Sequence, residues 1–239
     1  MRVLAVSPHL DDAAFSAGAT LAALADAGHE VTVVTCFTRS VPTPTGFALA
    51  CQLDKGLPAD VDYMALRRAE NAAAMAVLGA TPVDLDLPEA PHRGYTSAAD
   101  LFGGAHPGDD VWRDVADRLS GSTADLWLAP QALGAHVDHL QVLAAVASLD
   151  RPVLWWRDAP YVLRRPDAVP GDALPDRLVP VELAQDAGRR ADACACYGTQ
   201  LGFQFGGEAP MRAALAGLSE VLLAGPAARA VLSGVNSSA

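Results

Sequence analysis

Lysine is nearly absent from this chain. Of 17 basic residues only Lys55 is a lysine, set against 28 acidic residues and a formal charge of −11. Nucleic-acid binding needs a basic footprint to neutralise phosphates, so that class of partner is excluded. No apolar run approaches the ~20 residues that cross a bilayer. The apolar stretch at 3–6 is too short for the hydrophobic region of a signal peptide, and a cytoplasmic protein is expected. Cysteine is scarce: Cys36, Cys51, Cys194 and Cys196 form no C-x-x-C pair and are too few for a disulfide scaffold. Glycine is missing where a dinucleotide loop would need it, since none precedes Gly18. What remains is a chain that is 51% hydrophobic and long enough to bury a sizeable core, expected as one domain over 1–239.

The apolar pattern alternates strand and helix. Short apolar or β-branched runs predict strands at 2–7, 30–37, 82–87, 125–129 and 152–156. Between them, helices are predicted at 16–28, 62–79, 109–119 and 138–149, with Gly28 and Gly79 as stops. Such alternation implies parallel β-α-β units with right-handed crossovers. Pro160, Pro166, Pro170 and Pro175 then mark a loop-rich stretch. A strand at 177–181 and helices near 183–197 and 209–223 are expected to finish the fold, with a frayed tail at 233–239.

Open α/β sheets bind ligands at the carboxyl ends of their strands, beside the strand where the order reverses. After the first strand this chain reads Ser7-Pro8-His9-Leu10-Asp11-Asp12. One imidazole and two adjacent carboxylates there can divide the work, His9 and Asp12 gripping a cation while Asp11 handles a proton. The alternative is that Asp11 or Asp12 merely caps the next helix. After the fourth strand comes Gly134-Ala135-His136-Val137-Asp138-His139, with two of the chain's six histidines three residues apart at a helix start. Catalytic zinc sites use three protein ligands and leave a position for water. His9, Asp12 and one of His136 and His139 make up that number.

Together these motifs resemble the LmbE-like (PIG-L) superfamily of zinc-dependent deacetylases, with its P-H-x-D-D and H-x-x-H motifs. Further segments are similar to that family: Arg67-Arg68-Ala69-Glu70, the loop from Pro88 to Tyr95, Asp158-Ala159-Pro160-Tyr161 and Tyr197-Gly198-Thr199-Gln200. The resemblance implies a Rossmann-like three-layer α/β fold, with a mostly parallel sheet and helices on both faces. It implies His9, Asp12 and His139 as ligands of Zn2+ (or another divalent metal such as Fe2+) and Asp11 as general base. It implies His136 as the group that polarises the carbonyl or protonates the leaving amine, with Asp138 orienting a histidine from behind. Here Ala13 follows the paired aspartates, where many members carry glutamate. Gly134-Ala135 stand where members acting on thiol-linked glucosamine place a tyrosine.

The reaction implied is hydrolysis of an N-acyl, foremost N-acetyl, group on an amino sugar or glycoconjugate, with a protonated His136 serving the oxyanion and then the amine. Arg67, Arg68 and Arg93 are candidates for binding an anionic group of the small-molecule substrate. Trp155 and Trp156 could stack on a sugar, although neighbours in a strand face opposite sides. His92 and His106 read as surface loop histidines, and Cys194 and Cys196 as core packing. The rival readings are an O-deacetylase or larger-amide amidase using the same site, and a non-catalytic Rossmann-like binding module.

Overall fold

The computed structural model describes residues 1–236. Its seven strands are β1 (Arg2–Ser7), β2 (Glu30–Thr35), β3 (Thr81–Asp84), β4 (Leu126–Pro130), β5 (Val153–Trp156), β6 (Val179–Val181) and β7 (Leu222–Ala224). The helices are α1 (Asp12–Asp26), α2 (Gly46–Leu53), α3 (Tyr63–Leu78), α4 (Ala98–Leu101), α5 (Val111–Ser120), α6 (Val137–Ala147), α7 (Tyr161–Arg164), α8 (Ala187–Ala195), α9 (Gly198–Phe205), α10 (Glu208–Ala216) and α11 (Pro226–Asn236). They surround one sheet of order β3-β2-β1-β4-β5-β7-β6. The first five strands are parallel, and β7 runs antiparallel to both β5 and β6. The expected three-layer α/β fold is therefore present, with an antiparallel edge added.

Alternation along β1 divides the core. Val3 and Ala5 pack with Phe15, Leu21, Met75 and Tyr197 on one face. Leu4 and Val6 pack with Phe37, Val115, Trp127 and Val142 on the other. Trp155 and Trp156 obey the same rule, one in each cluster, and both are buried. Neither faces the cavity described below, so their stacking on a sugar is ruled out.

Several boundaries differ from the sequence expectation. Helix α1 starts at Asp12 rather than residue 16, because Ser7 Oγ accepts from the Ala13 amide and caps the helix from outside. The stretch after β2 holds α2, and the single helix expected at 209–223 is α10 followed by β7. Helix α8 ends at Ala195, and α9 is a separate helix. Helix α11 runs through residues 233–236 of the tail, while 237–239 lie outside the described residues. Among the described residues no helix is long and apolar enough to cross a membrane.

One buried ion pair braces the first helix. Glu220 accepts from the Ala19 and Thr20 amides, and Arg190 donates to the Phe15 carbonyl, so α8 and the entry to β7 both dock on the middle of α1. Gly18 permits this approach, since a Cβ there would lie 3.3 Å from Arg190 Cγ.

Candidate active site

The sheet order reverses direction at β1, which lies between β2 and β4. The crevice at the carboxyl ends of β1 and β4 is where such folds hold ligands. The loop after β1 brings His9, Asp11 and Asp12 to this crevice, and the loop after β4 brings His136, Asp138 and His139. Neither of the two aspartates at α1 acts as its cap. Asp11 occupies the N-cap position, yet its side chain makes no capping bond and instead accepts from Arg67 Nη2 at 2.9 Å. Asp12 Oδ2 accepts from the His9 amide at 2.8 Å.

Two histidines converge on Asp12. His9 Nδ1 lies 3.0 Å and His139 Nε2 3.1 Å from Asp12 Oδ2. Each histidine is held from behind by a fully buried carboxylate: His9 Nε2 meets Asp138 Oδ2 at 2.9 Å, and His139 Nδ1 meets Asp158 Oδ1 at 2.7 Å. Those outer carboxylates have their own donors. Asp138 accepts from Arg93 and the Ala90 amide, and Asp158 accepts from the Leu133 amide. A carboxylate behind an imidazole fixes the N–H on its own side and turns the other nitrogen's lone pair forward. His139 Nε2 is indeed buried without a hydrogen-bond partner. Two imidazole nitrogens and a carboxylate oxygen thus converge on one point, a donor set that could hold a metal ion.

The cluster draws positive charge to itself. Burial works against a charge on His9 and His139, but Asp12 and the outer carboxylates override it, raising His9 well above its ordinary value and His139 to about 9. Burial likewise favours neutral Asp12, yet His139 and His9 pull it well below the usual carboxylate range. A second grouping, His9 with His136 and Asp138, also lies close enough to share an ion. It suits a cation less well, because Arg93 already neutralises Asp138 and His136 Nδ1 is occupied by the Asp138 amide at 3.2 Å.

His136 departs from expectation in its charge. Burial holds it at about 3, and its Nδ1 accepts a backbone N–H as the N-cap of α6. The imidazole is therefore neutral with the proton on Nε2, a hydrogen-bond donor and not an imidazolium. Asp11 is shifted the other way. Burial raises its carboxyl, Arg67 opposes this, and Asp12 raises it further, which makes Asp11 a stronger base than an exposed aspartate.

The arginines correct the sequence reading. Arg93 is committed to Asp109 through Nε and Nη2, and to Asp138 Oδ1 at 2.7 Å and the Pro88 carbonyl through Nη1. It does not line the cavity, and its charge is spent on Asp109 and Asp138, so it positions Asp138. Arg68 ties the Thr38 carbonyl and Ser40, also away from the cavity. Arg67 does line the cavity, but its two amino groups are taken by Asp11 and Glu89.

Sequence reasoning missed Asp158 as a partner of His139. It lies 19 residues downstream, and only the D-x-P-Y resemblance pointed to it. His92 lines the cavity, whereas His106 stacks on Tyr95 at 4.0 Å. Gly134, at φ +91°, is required: a Cβ there would lie 2.9 Å from the Tyr161 ring, which packs edge-on against His139. The other quoted segments act as braces. Glu70 accepts from the Thr199 amide and hydroxyl, Gln200 donates to Tyr63, and Tyr197 donates to the Leu10 carbonyl. The Cys194 thiol is buried and donates to the Ala14 carbonyl, as core packing requires.

The site opens into a cavity of about 340 Å³ that runs from His9, Asp11 and His136 outward past Phe102 to α2 and Phe203. Residues 4–149 match the family model of PIG-L, GlcNAc-PI de-N-acetylase, and the chain belongs to that family. It is 36% identical over 176 residues to 2'-N-acetylparomamine deacetylase of Streptomyces fradiae, an alignment covering 70% of this chain and 60% of the relative. The chain thus spans less than two thirds of that relative's length. Among solved structures, the antimicrobial reagent A40926 pseudoaglycone deacetylase is 29% identical with a TM-score of 0.73, covering 93% of this chain and 96% of its own. A deacetylase of the teicoplanin biosynthesis pathway is 25% identical with a TM-score of 0.75, covering 94% and 97%.

Proposed function

We propose that the protein is a divalent-metal-dependent hydrolase that removes an N-acetyl group from an amino-sugar conjugate. The observation that carries this reading is the convergence of His9, Asp12 and His139 on one point, each histidine backed by a buried carboxylate, with Asp11 and His136 beside them in one cavity. His9 Nδ1, Asp12 and His139 Nε2 would hold the ion, and zinc fits this donor set. When bound, such an ion supplies Lewis-acid polarisation of the acyl carbonyl and makes water nucleophilic near neutral pH.

The chain's own residues do the rest. Asp11, steadied through one oxygen by Arg67, takes a proton from the water that attacks the amide carbon. His136 donates its Nε2 hydrogen to the carbonyl oxygen as negative charge grows there, and does so as a neutral group that needs no protonation beforehand. The carbon–nitrogen bond then breaks, and the proton held by Asp11 passes to the departing amine. Acetate and a free amino sugar result. Because His136 is neutral, Asp11 serves as both base and acid.

The cavity itself bears on the substrate. Its aromatic outer wall, including Phe47, Phe102 and Phe203, suits a glycoconjugate better than a lone monosaccharide. The nucleotide-binding alternative is disfavoured, since Asp12 occupies the helix start where a phosphate would otherwise sit. The direct test is acetate release from N-acetylglucosamine conjugates, with O-acetyl and longer N-acyl analogues alongside. Preferential cleavage of the N-acetyl substrates supports the reading. Cleavage of esters alone, or of nothing in metal-loaded protein, overturns it.

A further inference from the structure

The only lysine in the chain lies in the wall of the substrate cavity. Lys55 follows α2, and its ammonium donates to the Cys51 carbonyl at 2.9 Å. Two rings flank it, with Nζ 5.3 Å from the Tyr63 centroid and 4.8 Å from that of Phe203. Among the described residues no carboxylate pairs with it. Of the other cations of the wall, Arg67 pairs with Asp11 and Glu89 and Arg39 with Asp86, while Arg164 meets only the neutral Gln204. Lys55 therefore brings an ammonium with three donors, of which the protein uses one.

A positive charge partly withdrawn from water, opposed by Arg67 and reached by Glu89 and Asp11 only at a distance, is costly unless something restores the balance. The flanking rings return part of that cost through cation–π attraction. They also fix the ammonium in place, and Tyr63 is itself fixed by the Gln200 amide at 3.0 Å. The Arg67 guanidinium lies 5.4 Å from the same Tyr63 ring, so Lys55 and the Arg67–Asp11 pair share one short wall. The wall along Tyr63 thus leads from Asp11 to Lys55 within the one cavity.

We propose that Lys55 anchors an anionic substituent of the substrate, a carboxylate or a phosphate carried by the amino-sugar conjugate. The assignment rests on the reading of this cavity as the substrate site. It gives a task to a cation of the wall that no carboxylate contacts, in a protein of charge −11 whose long-range field repels anions and so leaves their capture to a local partner.

The experiment compares matched probes that differ in charge. N-acetylglucosamine, N-acetylglucosamine 6-phosphate and N-acetylmuramic acid are offered to the wild-type protein, Lys55→Met and Lys55→Arg, and kcat/KM is measured for each. The deacetylated sugars are titrated by calorimetry in parallel, which gives a preference that does not depend on turnover. The wild type is expected to favour at least one anionic probe over the neutral one by about tenfold or more, the worth of a charge-assisted hydrogen bond. Lys55→Met is expected to abolish that ratio and Lys55→Arg to retain most of it. A preference confined to the phosphate or the carboxylate supports the proposal and names the substituent. No anionic preference in the wild type, or an unchanged ratio in Lys55→Met, overturns it. A ratio lost equally in Lys55→Met and Lys55→Arg also overturns it, since the charge is then not what matters. Should the wild type cleave none of the sugars, the deacetylase reading fails, while calorimetry still decides for or against the anion anchor.

Discussion

Replacing Asp158 by asparagine probes the least visible part of the site. Asp158 is fully buried and has two tasks: Oδ1 faces His139 Nδ1 at 2.7 Å, and Oδ2 accepts from the Leu133 amide at 2.9 Å. Asparagine keeps the shape but turns one of these acceptors into a donor. If the amide oxygen stays on Leu133, its NH2 group faces His139 Nδ1 and forces the proton onto Nε2, the atom meant to bind metal. If it turns the other way, the Leu133 amide loses its acceptor, at about 1–3 kcal/mol. In both cases the negative charge behind His139 is gone. Loss of such an outer partner weakens metal binding by about 10–100-fold, or about 1.4–2.8 kcal/mol. Competition against a chelator of known affinity reads this directly, with thermal melting of the metal-loaded variant to show that it is folded. An Asp158→Asn protein that holds metal as tightly as wild type would refute the argument that this carboxylate sets the histidine's tautomer.

Three other substitutions separate the neighbouring roles. Asp11→Asn should keep its metal and lose about 10²–10⁴ in kcat, the worth of a positioned base, and metal analysis with steady-state kinetics checks both. His136→Ala should lower kcat by the equivalent of about 3–4 kcal/mol as an oxyanion donor is lost. Because His136 is already neutral at about 3, that variant should leave the limbs of the pH–rate profile between pH 5 and 9 in place; the disappearance of an alkaline limb would mean an imidazolium was acting. Arg93→Ala should behave as a stability and metal-affinity variant. It strips the buried Asp138 carboxylate of its charge partner, at about 3–5 kcal/mol, and denaturant unfolding reads the loss. A selective rise in KM for anionic substrates would instead return Arg93 to substrate binding.

The parallel half of the sheet was legible because β1, β4 and β5 are apolar on both faces and the helices between strands end at clear stops, whereas the exposed edge strand β3 is shorter than its apolar pattern predicts. Gly79, at φ +73°, ends α3 where the sequence pattern predicts. The antiparallel edge was not. Residues 215–224 are apolar at helical spacing, and only pairing with Trp155 and Val181 across β7 turns their end into a strand. Helix α2 was not foreseen either: its eight residues follow directly on the prolines and threonines of 42–45, which give it no strong start. At the site, the spacing of His9 to Asp12 and of His136 to His139 was enough to place these side chains in one crevice. What a sequence does not contain is who stands behind them. Arg93 looked free because Asp109 and Asp138 are distant along the chain, and both claim it in the fold. Asp158 reaches His139 for the same reason, across the carboxyl ends of adjacent strands β4 and β5.

The central claim is that one ion is held by His9, Asp12 and His139, with His136 outside its grasp. Metal content per chain, measured on wild type, His139→Ala and His136→Ala after identical loading and desalting, tests it most directly. About one divalent ion per wild-type chain is expected, with the ion lost from His139→Ala and kept by His136→Ala. Metal retained by His139→Ala and lost from His136→Ala would move the centre to the other grouping, His9 with His136 and Asp138, and contradict the account.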